Sequence, residues 1–368
     1  MVETRRGGGR TKGALLGLAL GAGLLLAGEG VARLVLDEPP DAPLIVPTGF
    51  APGAPQGWTT SPVHAADPHL IWRNRRNVEV EFEGVHVRLD PLGLRGGPAS
   101  RARPPGVVRI LSLGESTTFG VGVEEDETYS AVLERYLDGL PDAPDVEVLN
   151  AGVLGWTLAQ SAAWLEREGL ALEPDVVVLY HGFNDFIPTS YSARLSRDAS
   201  PELEAQRLTD LAIMARERSR GAALLDALAE RSLALRWVRS FTRPGVSSRA
   251  VGADWAPADR SSVRVPEPDR RALLRQVLGL CRGRGVDLLV VVPVYREFAE
   301  HRAVLLEFVE ATGVPSVDLE DLLPKAAKAR RLLFLDPTHP TAALHERFGE
   351  AIGRSLEDTV RRRSLASR

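Results

Sequence analysis

Five short apolar runs punctuate the chain between residues 107 and 318, and they organise the reading of everything around them. They are Val107–Leu113, Val146–Leu149, Asp175–Tyr180, Asp287–Val292 and Val314–Asp318. Runs such as Val176-Val177-Val178-Leu179 are apolar at successive positions, so both faces are built for burial, as in a parallel strand between helical layers. The intervening stretches 128–137, 158–168, 268–282 and 341–356 repeat apolar residues every three to four positions and predict helices. The alternation predicts an α/β fold with a parallel sheet covered on both faces. Residues 78–89, VEVEFEGVHVRL, follow a different period. Apolar and polar positions alternate about Glu83-Gly84, the pattern of a β-hairpin. The turn-rich Asp90-Pro91-Leu92-Gly93-Leu94-Arg95-Gly96 comes next, so 64–105 reads as a small β-rich preface to a main domain over 106–360.

The ends of this frame carry other patterns. Arg5, Arg6, Arg10 and Lys12 precede Gly13–Gly28, a stretch with no charge. Apolar residues resume after Glu29 through Leu36. Basic first and apolar second predicts a signal anchor over 1–36, with a cytoplasmic basic tail and the rest of the chain outside the cytoplasm. The alternative is a cleaved signal peptide and a secreted or periplasmic product. Gly13, Gly17 and Gly21 recur every fourth residue, the spacing that lets two membrane helices approach as a homodimer, or simply a glycine-rich composition. Seven prolines between residues 37 and 63 predict an extended linker. Residues 187–266 exceed what the sheet needs and are helix-like at about 202–240. They predict a helical cap beside the site, a docking surface, or a packing subdomain that never meets substrate.

A formal net charge of −4 gives no reason to expect nucleic acid. The single cysteine, Cys281, excludes an internal disulfide and reads as a small buried residue. Neither a His-x-x-x-His pair nor a cysteine cluster offers a metal site, and Gly120-Val121-Gly122 is too little for a dinucleotide fingerprint. No cofactor is expected.

Four short segments carry chemistry: Gly114-Glu115-Ser116, Asn150-Ala151-Gly152, Gly182-Phe183-Asn184-Asp185 and Asp336-Pro337-Thr338-His339. The first three each end an apolar run, where an open α/β sheet binds ligands. Ser116 follows a glycine that permits a tight strand-to-helix turn, and a serine hydroxyl needs a base to become a nucleophile. His339 lies three residues after Asp336, in a loop stiffened by Pro337 and Pro340. That spacing suits an acid that orients the base. His345 and His181 read as structural, Asp185 as a hydrogen-bonding residue, and Asn150 and Gly155 as turn residues.

In this order the four segments resemble the SGNH (GDSL-type) hydrolase family, whose four letters fall on Ser116, Gly152, Asn184 and His339. The resemblance covers roughly residues 107 to 356. It implies a flavodoxin-like three-layer α/β/α fold with about five parallel strands. It also implies a catalytic triad of Ser116, His339 and Asp336, with an oxyanion hole of the Ser116 and Gly152 N–H groups and the Asn184 amide. One departure stands out: the usual Gly-Asp-Ser reads Gly114-Glu115-Ser116. The implied activity is hydrolysis of short-chain acyl or acetyl esters, carbohydrate-linked ones among them, on a polysaccharide or lipid substrate. Two alternatives remain, an O-acyltransferase acting on an extracytoplasmic polysaccharide and a catalytically silent assembly protein.

Overall fold

The computed structural model describes residues 26–35, 45–48, 57–67, 69–141, 143–186, 228, 232–235, 263–296 and 298–366. Helix α1 covers 26–35. Strands β1 (Ile45–Thr48) and β2 (Gly57–Thr60) pair antiparallel, inside the stretch expected as linker. The preface adds two further antiparallel pairs, β3 (His64–Asp67) with β4 (Ile71–Asn74) and β5 (Val78–Phe82) with β6 (Val85–Leu89). The β5–β6 turn falls at Glu83-Gly84, where both residues take positive φ, 52° and 79°. That is the backbone a two-residue hairpin loop demands.

The main sheet has strands β7 (Val108–Gly114), β8 (Val146–Gly152), β9 (Val176–Tyr180), β10 (Asp287–Val292) and β11 (Ser316–Asp318). Its order is β11-β10-β9-β7-β8, with every neighbouring pair parallel. The fold is therefore α/β with a five-stranded parallel central sheet, as expected. The main domain also carries helices α2 (Ser116–Phe119), α3 (Tyr129–Asp138), α4 (Leu158–Arg167), α5 (Phe183–Phe186), α6 (Glu267–Gly283), α7 (Arg302–Thr312), α8 (Ala327–Arg331) and α9 (Ala342–Ala366). Strand alternation sends Leu111, Leu113, Val177 and Leu179 to one face, against Leu165 of α4 and Val277 of α6. It sends Ile110, Val178, Tyr180 and Val291 to the other, against Leu133 of α3 and Phe348 and Ile352 of α9. Helices α3 and α9 pack closely because Gly349 and Gly353 lack side chains. A Cβ there would lie 2.5 Å from Val132 and 2.4 Å from Tyr136.

Local signals fix several helix ends. Thr157 and Gln160 form a capping box at α4, Thr128 caps α3, and Gly313 ends α7 in the left-handed conformation at φ 67°. Helix α7 was not foreseen. Its apolar positions Val304, Leu305 and Phe308 are buried against the sheet, but the preceding Tyr295–Glu300 gives no start signal.

Among the described residues no helix is long and apolar enough to cross a membrane. The expected anchor, with Gly13, Gly17 and Gly21, lies mostly outside the described residues. Its end is α1, on which Leu26, Leu34 and Val35 are exposed. The expected insertion over 187–266 also lies outside them, apart from residues 228, 232–235 and 263–266. Glu29 of α1 joins the two regions. Its carboxylate accepts bonds from Ser232 Oγ (2.6 Å) and from the Leu233 (2.8 Å) and Ala234 (3.2 Å) N–H groups.

Candidate active site

Register brings the site together. Gly114 of β7 lies level with Gly152 of β8 and with Tyr180 of β9, so three of the four segments leave the sheet along one edge. The fourth arrives from the loop before α9. The Leu335 N–H donates to His339 O (2.8 Å), closing that loop on itself. The Arg296 N–H donates to Pro337 O (2.9 Å), tying it to the chain beyond β10.

Ser116, His339 and Asp336 form one hydrogen-bonded line. Ser116 Oγ lies 2.9 Å from His339 Nε2, and His339 Nδ1 lies 2.6 Å from Asp336 Oδ2. Asp336 Oδ1 accepts the N–H groups of Thr338 (2.7 Å) and His339 (2.8 Å), so its carboxylate is fixed from both sides. Burial raises the Asp336 pKa, but the bonds from His339 and Thr338 outweigh it and hold the group well below the usual carboxylate range.

Ser116 opens α2 with Glu115 extended before it and Gly120 at φ 88° after it. Gly114 is required by close approach. A Cβ there would lie 2.0 Å from Thr118 Oγ1 and 2.7 Å from Tyr180 O. The Ser116 N–H has no acceptor among the described residues. Asn184, in the one-turn α5, is buried, and its Nδ2 has no partner among the described residues. A buried amide without a partner is costly unless something is brought to it.

Gly152 corrects the expectation. Its N–H donates to Asn150 Oδ1 at 3.0 Å and so is already committed. Its small size serves packing, since a Cβ would lie 2.1 Å from Phe119 N. Three residues on, Gly155 stands at φ 76° with an N–H that has no acceptor among the described residues. Asn150, read as a turn residue, instead links β8 to α2 through Nδ2 to Thr118 O (2.8 Å).

Four further titratable groups that the sequence singled out are buried. Asp185 Oδ1 accepts the Leu158 N–H at 2.9 Å, and burial pushes its carboxyl up to about 7. His345 takes the Tyr129 N–H on Nδ1, His181 meets Ser161 Oγ at 2.7 Å, and burial lowers both imidazoles to about 3. Cys281 is buried and free, its thiol pushed up to about 12 by burial. Among the described residues no cluster could hold a metal ion.

Sequence reasoning missed the groups that support the site from outside it. The Arg95 guanidinium, 4% exposed, donates to Phe119 O (2.6 Å), to Gly120 O and to Val123 O (2.5 Å), at the carboxyl end of α2. Asn74 donates to Gly152 O (2.9 Å) and Trp72 Nε1 to Leu154 O (3.0 Å). The preface thus backs both the Ser116 turn and the turn after β8. The only sequence signal was the turn-rich Asp90–Gly96 segment. The end of the insertion also arrives here. Arg264 donates to Gly155 O (2.7 Å) and the Val265 N–H to Asp185 O (3.0 Å).

No functionally curated protein matches the sequence. Several solved structures resemble it distantly. A lipase/acylhydrolase from Enterococcus faecalis is 17% identical over 68% of this chain and 96% of its own, with a TM-score of 0.42. Axe2, an acetylxylan esterase from Geobacillus stearothermophilus, is 17% identical over 68% of this chain and 94% of its own, with a TM-score of 0.40. A two-domain esterase active on acetylated mannans is 17% identical over 70% of this chain and 50% of its own, with a TM-score of 0.42. Likeness at this level carries no argument about substrate. The sequence profile of the GDSL-like lipase/acylhydrolase family matches residues 112–347, a span that starts within β7, takes in all four chemical segments and ends within α9. With well over half of its length so matched, the chain belongs to that family.

Proposed function

We propose that the protein is a serine esterase that cleaves a short-chain acyl or acetyl ester through an acyl-enzyme on Ser116. The unbroken line Asp336–His339–Ser116 carries this reading. His339 Nε2 takes the Ser116 proton as Oγ attacks the ester carbonyl, and Asp336 stabilises the imidazolium without taking the proton. The oxyanion is met by the Ser116 N–H and Asn184 Nδ2, both lacking partners among the described residues, with the Gly155 N–H in the place first expected of Gly152. His339 returns the proton to the departing alcohol. Water, activated by the same imidazole, then attacks the ester carbonyl and frees Ser116.

Position 187 directly follows α5, and Arg264 donates to Gly155 O, so the two ends of the expected insertion adjoin the site. That supports reading it as a cap that selects the larger part of the substrate. Carbohydrate-linked esters remain the expected class from the family resemblance. Tethering by residues 1–36 belongs to the same proposal, supported by the basic flank before an uncharged stretch and by the exposed apolar residues of α1.

The test is labelling of the full chain with a fluorophosphonate probe, alongside turnover of a small activated acetyl ester. Wild type should label and turn over, and Ser116→Ala should do neither. Labelling that survives in Ser116→Ala would refute the assignment. Added carbohydrate acceptor that diverts the acyl group from water would favour transfer.

A further inference from the structure

The residue that departs from the family's usual motif sits at the centre of a buried network. Glu115, 1% exposed, is fixed at both carboxylate oxygens. Oε1 accepts the Tyr295 hydroxyl at 2.5 Å and Oε2 accepts the Asn184 N–H at 3.2 Å. The Tyr295 oxygen in turn accepts the Phe183 N–H at 2.9 Å. Both N–H groups at the start of α5 are therefore held, directly or through one hydroxyl, by the side chain that precedes Ser116. Gly182 completes the fit, because a Cβ there would lie 2.9 Å from the Tyr295 hydroxyl and 3.0 Å from the His301 ring. Tyr295 itself is wedged between Phe183 (ring centroids 5.6 Å apart) and His301 (4.9 Å).

A carboxylate is a costly group to bury here, and burial raises its pKa. The triad does not use it, because His339 already has Asp336. What the network does fix is the turn that carries Asn184, whose Nδ2 is buried without a partner among the described residues. An oxyanion donor is effective only when it is aimed before the charge develops.

We propose that Glu115 is a positioning residue for the oxyanion site, which with Tyr295 locks the Gly182–Asp185 turn and so aims the Asn184 amide. The proposal rests on the esterase reading. It explains why glutamate stands where the family usually has aspartate. One methylene fewer would withdraw the carboxylate by about 1.5 Å, too far to keep both the Tyr295 and the Asn184 bonds.

Restoring the family's usual residue should therefore damage this enzyme. With a small activated acetyl ester and the full chain, Glu115→Asp should lower kcat by about 10- to 100-fold with KM within about threefold, approaching the cost of losing one oxyanion donor. Tyr295→Phe, which keeps the ring and removes only the hydroxyl, should lower kcat at least fivefold. The decisive arm is a double-mutant cycle. In an Asn184→Ala background, Glu115→Asp should cost less than about threefold more, because the amide it aims is gone. A merely structural role would lower kcat by the same factor in both backgrounds, and that outcome overturns the proposal. So does a kcat within twofold of wild type in both Glu115→Asp and Tyr295→Phe. Wild type that neither turns over ester nor labels with the fluorophosphonate would sink the esterase reading itself. Active wild type with indifferent Glu115 and Tyr295 variants would sink only the lock.

Discussion

Replacing Arg95 by methionine tests whether the preface is part of the working domain. The guanidinium is buried and donates to three carbonyls, Phe119, Gly120 and Val123, at the carboxyl end of the turn that carries Ser116. A hydrogen bond from a charged donor contributes about 1.5–3 kcal/mol net. Three such bonds come to about 4.5–9 kcal/mol. Against this, burial lowers the Arg95 pKa from 12.5 to about 10, despite the attraction of Glu125 and Glu124. At about 1.4 kcal/mol per pKa unit that is a cost of about 3.5 kcal/mol, which methionine would not bear. The remainder is about 1–5.5 kcal/mol, and a loss near 3–4 kcal/mol is expected. At about 2–4 °C per kcal/mol in a domain of this size, Tm should fall by about 6–16 °C. Thermal unfolding of the full chain, followed by tryptophan fluorescence, reads it directly. Arg95→Lys should fall between, because one ammonium cannot span three carbonyls as the planar fork does. At a temperature where Arg95→Met is still folded, the rate of fluorophosphonate labelling should also be lower, because α2 has lost its support. A Tm change under 2 °C with an unchanged labelling rate would refute the reasoning and leave the preface as an appendage.

Gly152→Ala should destabilise by about 1–3 kcal/mol or more and slow labelling of Ser116, since its Cβ would lie 2.1 Å from Phe119 N and backbone cannot yield as a side chain does; a variant with wild-type Tm and labelling rate would contradict the close approach. Asp185 gives a pH dependence with a definite sign. Burial holds its carboxyl at about 7 in the folded state, well above the unfolded value near 3.9, so the folded state keeps its proton longer and stability falls as pH rises from about 4 to about 7. The fall attributable to this group is at most about 4 kcal/mol. Asp185→Asn, which keeps an acceptor for the Leu158 N–H, should lose less stability than wild type between pH 5 and pH 8, and equal losses in urea midpoints would contradict it. Fractionation of cells should find the full chain in the membrane at intact mass, whereas a shortened soluble product outside the cytoplasm would show a cleaved signal instead.

Much of the frame is legible because it is local. Apolar runs of four to seven residues and the 3.6-residue repeats between them mark each strand of the sheet and most of its helices, and a β-strand buried on both faces has no polar alternation to confuse the reading. The hydrogen-bonded line Asp336–His339–Ser116 is legible for the same reason. Asp336 and His339 are three residues apart, and Ser116 follows a strand end, so short spacings carry most of their geometry. Helix α7 escaped because the chain before it, Tyr295–Glu300, offers neither a cap nor a regular repeat, and its place is set by packing on β10 and α6.

What only the tertiary structure decided is the allocation of hydrogen-bonding groups among segments far apart in sequence. Gly152 looked like an oxyanion donor until Thr118 O, 32 positions away, took the Asn150 Nδ2, with Asn150 Oδ1 on the Gly152 N–H. Glu115 looked like a tolerated variant until β10 and the chain after it brought Tyr295, 180 positions away, onto its carboxylate. Arg95 stood in a segment readable only as turn-rich until the preface folded back across α2. A periodic pattern specifies which face of an element is buried, but a buried polar group must be matched to one partner at about 3 Å. Which partner arrives there depends on strand order, register and the return of loops, and none of these is encoded in any one stretch of the chain.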